Sequence, residues 1–339
     1  MTNTVPLGVL DQSPIRRGAT TSDAIRESLE LARACDRWGY RRYWVAEHHA
    51  SNGLAGSAPE ILITRIAAET KDMRVGSGGV MLNHYSPLKV AETFRMLETL
   101  YPGRIDLGLG RAPGSDQRTA AALQLSPEAA GADNFAPKLG MLLGYLDGSL
   151  PADHPYARIR VVPEPANQPE LWLLGSSDYS AAYAAHIGCA FSFAQFITGS
   201  GGEAVVRAYK EGFKPSHRLA KPLASVSTFV LCADTEEEAK ILAASRKLWL
   251  LNFFTGREQP YPSVEEALAY PYTEQEEELL RRSGRRSIVG NPDQVKAGLL
   301  ELAETYDADE LSIVTICGDF AARMRSYELI AKAFGLRAN

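Results

Sequence analysis

The chain has 339 residues, 45% of them hydrophobic and 23% charged, with a formal net charge of -5 and a pI near 5.8. This is the composition of an ordinary globular protein, and its acidic balance argues against the broad basic footprint that nucleic acid requires. No window approaches the roughly eighteen consecutive apolar residues of a membrane span, and the opening "MTNTVPLGVLDQSP" lacks the basic-then-apolar order of a secretory signal, so cytoplasmic residence is expected.

Short apolar or β-branched runs alternate with longer stretches of helical spacing, the pattern of parallel strands joined by crossover helices. The run "PLGVLD" reads as a strand and Thr21–Trp38 as a helix capped by Thr21 or Ser22 and ended by Gly39. Next, "RRYWVAE" precedes a helix over Ala58–Thr70, "MRVGSGGVML" one over Pro87–Leu100, and "RIDLGLG" a helical region from about Ser115. The runs "ELWLLG", "CAFSFA" and "LASVSTFVLC" lead into helices over Ser180–His186, Gly202–Gly212 and Thr235–Phe254, and "ELSIVTIC" leads into Phe320–Phe334.

Eight such units without a linker or repeat predict one α/β domain over 1–339, a (β/α)8 TIM barrel with insertions, in preference to a doubly wound open sheet. The insertions fall at about 126–170 and 256–291, and the second carries the charge run "EQEEELLRRSGRR", a solvated helix face or an anion site. Long excursions at the C-terminal ends of barrel strands are also where active-site lids arise.

Those strand ends are where chemistry is expected. Asp11 closes the first strand, and the second ends in Glu47, His48 and His49, a cluster an ordinary loop does not need. Gly78 and Gly79 lie inside a strand, marking either an irregularity or a close approach of a flat ligand to backbone. Arg111 follows a run of small residues and is suited either to phosphate oxygens or to a neighbouring carboxylate. Gly175, Ser176, Ser177 and Ser180 open a short helix, where free N–H groups and hydroxyls would hold a phosphate monoester or simply cap the helix. A metal site drawing on Asp11 and the histidines is weaker, because consecutive strand residues face opposite ways and no H-x-H follows the first strand. Cys35, Cys189, Cys232 and Cys317 have no C-x-x-C spacing and read as buried free thiols.

Taken together, "YWVAEHHASNG", "RVGSGGVMLNHYSPLKVAETFRMLETLYPGRIDLGLGRAPG", "LWLLGSSDYSAAYAAHIG" and "IVGNPDQVKAGLLELAETYDADELSIV" resemble the bacterial luciferase-like flavin-dependent monooxygenases over nearly the whole chain, closest to their single-chain subgroup. The resemblance implies a barrel that binds reduced FMN noncovalently at the strand C-terminal face. An NAD(P)H-dependent flavin reductase would supply the reduced flavin, and O2 and a small organic molecule would be co-substrates. His48 matches the family's catalytic histidine, with Glu47 and His49 holding its loop and tuning that imidazole, so Glu47 is expected beside His48 among the catalytic residues and Asp11 among those that bind the cofactor. Arg111 and the Gly175–Ser180 turn match the phosphate grip, and Gly78–Gly79 matches a non-proline cis peptide. Homodimerisation is implied as well. Several members have proline where this chain has Asn83, which leaves His84 open as a flavin or substrate contact. The readings kept beside this one are a deazaflavin-dependent oxidoreductase, a flavin-binding protein without turnover and a metal-dependent barrel hydrolase.

Overall fold

A computed structural model describes residues 5–124, 134–198, 201–282 and 287–337. In chain order the strands are β1 (Leu7–Asp11), β2 (Arg42–Val45), β3 (Arg74–Ser77), β4 (Val80–Met81), β5 (Ile105–Gly110), β6 (Glu170–Gly175), β7 (Ala190–Ala194), β8 (Ala224–Cys232), β9 (Ser287–Gly290) and β10 (Glu310–Val314). Every pairing is parallel. β10 pairs with both β8 and β1, with Leu7 beside Leu311 and Glu310 beside Ser225, so the sheet closes into the expected eight-stranded (β/α)8 barrel. Closure removes the exposed strand edges that an open sheet would leave.

Alternation along each strand sorts the side chains. Outward residues such as Val9, Tyr43, Val75, Leu107, Phe191 and Ile313 join the apolar layer beneath the helices. Inside, the N-terminal half of the barrel is filled by charge and indole. Arg42, 1% exposed, donates to Asp106 (2.5 Å) and Glu310 (2.7 Å), and its guanidinium lies 4.8 Å from the Trp172 ring. The indoles of Trp44 and Trp172 donate to Asp106 and Glu170, both at 2.8 Å. Such a plug is rigid because every member has its partner.

The helices begin and end where their chemistry dictates. Thr20 caps Thr21–Trp38 in a capping box with Asp23, one residue before the expected cap, and Gly39 ends it in the left-handed region (φ 86°). Two departures from expectation concern the seventh and fourth units. Thr235 caps the expected helix, Glu236–Phe254, but that helix packs on β9 and on the helices Val264–Ala269 and Glu274–Arg282. The helix that crosses over to β10 is Pro292–Tyr306, opened by Asn291 in a capping box with Gln294. Likewise Phe135–Asp147, inside the expected 126–170 insertion, packs on Pro87–Leu100 as the fourth unit's layer helix. Among the described residues, one extra helix precedes the crossover helix in the fourth unit and three do in the seventh, so the first helical pattern after the strand is not the one that leads to the next barrel strand. Residues 126–133 of the first insertion, with 125 before it, and 283–286 of the charge run lie outside the described residues. Glu274–Arg282 buries no side chain and ties Glu277 to Lys247 and Glu276 to Arg257, as a solvated face would.

The 256–291 excursion returns over the mouth of the barrel. The Tyr261 N–H donates to the Ile15 carbonyl (2.6 Å), the Arg17 N–H donates to the Tyr261 carbonyl (2.7 Å), and the fully buried Tyr261 ring stacks on Trp249 at 5.3 Å. Among the described residues no helix is long and apolar enough to cross a membrane.

Candidate functional site

At the C-terminal ends of β1 to β8 a cavity of about 310 Å³ opens above the indole layer. Leu10, Gly78, Leu174, Ser192 and Ser227 contribute to its lining, and His48, Arg111 and the 175–180 turn border it. Eight of the residues singled out from sequence converge here: His48, Gly78, Gly79, Arg111, Gly175, Ser176, Ser177 and Ser180.

The Gly78–Gly79 peptide is cis, as the resemblance implied. Neither position has room for a side chain. A Cβ on Gly78 would sit 2.5 Å from Leu10 Cδ1, and one on Gly79 would sit 2.8 Å from the Gly108 carbonyl oxygen. Bare backbone therefore faces the cavity, which is what a flat ring needs for close approach.

The anion-holding corner is made by three elements. Ser177 stands at the N-cap of the helix Asp178–Ile187 in extended conformation (φ -135°, ψ 161°), yet its side chain makes no capping bond. Its hydroxyl is thus not spent on the helix, and the amides of the first turn point the same way. The Arg111 guanidinium lies 4.6 Å from the ring of Tyr179, in that first turn, and Arg111 borders the same cavity as Ser176 and Ser177. Guanidinium, hydroxyls and helix N-terminus together fit a phosphate monoester.

His48 is presented by the loop after β2. Its N–H donates to the Gly56 carbonyl (2.7 Å), the His49 N–H donates to the Gly114 carbonyl (3.1 Å), and Ala50 turns the chain in the left-handed region (φ 52°). Burial, aided by the neighbouring His49, pushes the His48 imidazole down to about 4. It is therefore a neutral ring near pH 7, and not the half-protonated group its ordinary value of about 6.5 suggests. Its Nδ1 is buried without a partner in the protein. The residue borders the cavity, and a neutral imidazole with one nitrogen unmet by the protein suits hydrogen bonding to a bound group.

Glu47 does not line the cavity. It is fully buried and accepts from the Met81 N–H (3.0 Å), from the Tyr85 hydroxyl (2.7 Å), and shares a proton contact with His49 Nε2 at 2.8 Å. These bonds fit holding the loop that presents His48, and they leave Glu47, expected among the catalytic residues, without a contact to the cavity. Asp11 is a correction. As an outward-facing residue of β1 it is fully buried beneath the helices, where it accepts from Arg323 (2.7 Å), Tyr43 (2.6 Å) and the Ser13 N–H (2.8 Å), so it has no access to a cofactor. His84, too, stands behind the cavity wall, where its Nε2–H donates to the Pro113 carbonyl at 2.7 Å, a carbonyl being only an acceptor. No group of three or more His, Cys, Asp or Glu among the described residues takes a metal-holding arrangement.

A sequence model of the luciferase-like monooxygenases matches residues 5–309. The chain belongs to the luciferase-like monooxygenase family. It is 38% identical over 335 residues to an N-acetyl-S-alkylcysteine monooxygenase of Bacillus subtilis, covering 97% of this chain and 98% of that protein. The solved structure of apo-MsnO8 is 40% identical with a TM-score of 0.90 over 98% of both chains. The oxygenating constituent of 3,6-diketocamphane monooxygenase from Pseudomonas putida, solved with FMN, shares the fold at a TM-score of 0.72, 20% identity and coverage of 98% of both chains.

In this luciferase-like protein the sequence reading missed Gln12, Ser192 and Ser227 as cavity residues. The signal was present. If Leu10 faces inward then so does Gln12, two residues on, and in "AFSFA" the two phenylalanines face the helices and leave Ser192 to the interior.

Proposed function

We propose that this luciferase-like protein is a monooxygenase that binds reduced FMN in the strand-end cavity and uses O2 to oxygenate a small organic substrate. What supports the choice of FMN is the single observation that a bare-glycine floor, a neutral histidine and a phosphate-suited corner border one cavity. Reduced FMN, when bound, supplies two electrons, so that one atom of O2 enters the substrate and the other leaves as water. The residues of the chain do the rest. Gly78 and Gly79 let the ring lie against backbone, and Arg111 with Ser176 and Ser177 takes the phosphate. His48 offers a ring nitrogen to the reacting side, and Leu10, Leu174 and Phe196 keep water out of the apolar part of the lining.

The reading includes a separate NAD(P)H-dependent flavin reductase, cytoplasmic residence and a homodimer. The four cysteines are all free and buried, which suits a reducing compartment. Helices Pro59–Glu69 and Pro87–Leu100 expose Ile61, Met96 and Leu100 among charges of both signs, which suits a self-complementary contact.

The test is an anaerobic titration with oxidised FMN, reduced FMN and a reduced deazaflavin, followed by air and candidate substrates, beginning with an N-acetyl-S-alkylcysteine. Preference for reduced FMN with oxygen-dependent product supports the reading. Preference for the deazaflavin would make the protein a hydride-transferring oxidoreductase, and tight FMN binding with no product from any donor would make it a flavin carrier.

A further inference from the structure

Residues Leu82–His84 form a single 3₁₀ turn that does not border the cavity, and the reading above gives it no task. Its side chains nonetheless reach the loop that carries Arg111. The Asn83 amide Nδ2 donates to the Arg111 carbonyl (3.2 Å), and His84 Nε2 donates to the Pro113 carbonyl (2.7 Å). The turn is itself held from two sides: Lys138 Nζ donates to the Asn83 carbonyl (2.6 Å), and Glu47 holds the Met81 N–H and the Tyr85 hydroxyl that flank it. The His84 ring is 7% exposed and meets His49 edge-on at 6.0 Å, while the His49 N–H takes the Gly114 carbonyl.

Three carbonyls in four residues, those of Arg111, Pro113 and Gly114, thus receive donors from behind the loop. Ala112 and Pro113 are exposed, and water would satisfy such carbonyls at no cost to the fold. Fixing them instead fixes the backbone from which a long, rotamer-rich guanidinium projects. An arginine on a freely moving loop loses more entropy when it grips an anion than one whose base is already set.

We propose that Asn83 and His84 are positioning residues that aim Arg111 at the Ser176–Ser177 turn, so that the grip on a phosphate monoester depends on a turn that never touches it. The proposal rests on the FMN reading, and FMN with riboflavin, the same ring without the phosphate, separates the two. Binding of both reduced ligands is measured anaerobically by fluorescence for the wild type and for Asn83→Ala, His84→Phe and His84→Gln, alongside each variant's thermal midpoint.

The expected result is a loss of about tenfold in FMN affinity for Asn83→Ala and His84→Phe, the scale of one weakened charge-assisted hydrogen bond. Riboflavin affinity should stay within about twofold, since no phosphate contact is at stake. His84→Gln, which keeps an N–H donor near the place of Nε2, should recover most of the FMN affinity. Equal losses for both ligands, no loss for either, or a His84→Gln variant as weak as His84→Phe would each overturn the proposal. A wild type that binds FMN no better than riboflavin would overturn it while leaving a flavin site standing. A wild type that binds neither would bring down the cofactor reading, and the inference with it.

Discussion

His48 and Glu47 are adjacent in sequence and opposite in task, because successive residues leaving a strand face opposite ways. The His48 imidazole, pushed down to about 4 by burial, should titrate far below ordinary histidines when followed by NMR of the labelled ring. A folded value below the unfolded one means the unfolded chain binds the proton more readily. The His48 contribution to stability is therefore complete above about pH 6.5 and is lost as pH falls from there toward 4. Turnover should show no break near 6.5 from this group. His48→Ala should leave reduced-FMN affinity largely intact and divert oxygen to peroxide, read as product formed per flavin oxidised; unchanged coupling would remove His48 from the chemistry. Glu47→Gln keeps the shape but turns one acceptor into a donor among three donors. It should cost about 1 to 3 kcal/mol of unfolding free energy in urea, the scale of a buried unmet polar group.

Among the elements, the helix Asp178–Ile187 separates two meanings of the same serines. A serine that caps a helix loses about 1 kcal/mol on truncation to alanine. The Ser177 side chain makes no such bond. Ser177→Ala should therefore change stability by less than about 0.5 kcal/mol, while weakening FMN and sparing riboflavin. A full capping loss with unchanged FMN binding would return this turn to a structural role. Sequence alone left both options open because capping and phosphate binding use the same residue types at the same place. Strand positions were legible for a simpler reason: strands buried on both faces read as continuous apolar runs whatever surrounds them. The crossover helix Pro292–Tyr306 went unassigned although Asn291, Pro292 and Gln294 announce its start. An earlier helix had already filled its place in the alternating pattern, and no local signal says which helix leads to the next barrel strand.

For the whole molecule the informative failure is Asp11. A carboxylate at the C-terminal end of a barrel strand looks catalytic in one dimension, and only the inward or outward sense of its side chain decides. Here it faces out and ties the ends of the chain together. β1 pairs with β10, Arg323 of the last helix donates to Asp11, and Tyr43 of β2 donates to the same carboxylate. Burial pushes the Asp11 carboxyl up, but the Arg323 guanidinium with the Ser28 and Tyr43 hydroxyls outweighs it and holds the group below its usual range. A carboxyl lowered on folding contributes stability that is present above its unfolded value of about 3.9 and is lost as pH falls through the folded one. Asp11→Asn leaves Arg323 buried without its counter-charge and should cost about 3 to 5 kcal/mol at neutral pH, measured by urea unfolding. The gap between variant and wild type should narrow below about pH 4, where the wild type begins to lose the same interaction. At temperatures where the variant is folded, its FMN affinity should equal that of the wild type, because the barrel closure it serves lies outside the cavity. A variant of full stability with weakened flavin binding would restore Asp11 to the site from which its burial removes it.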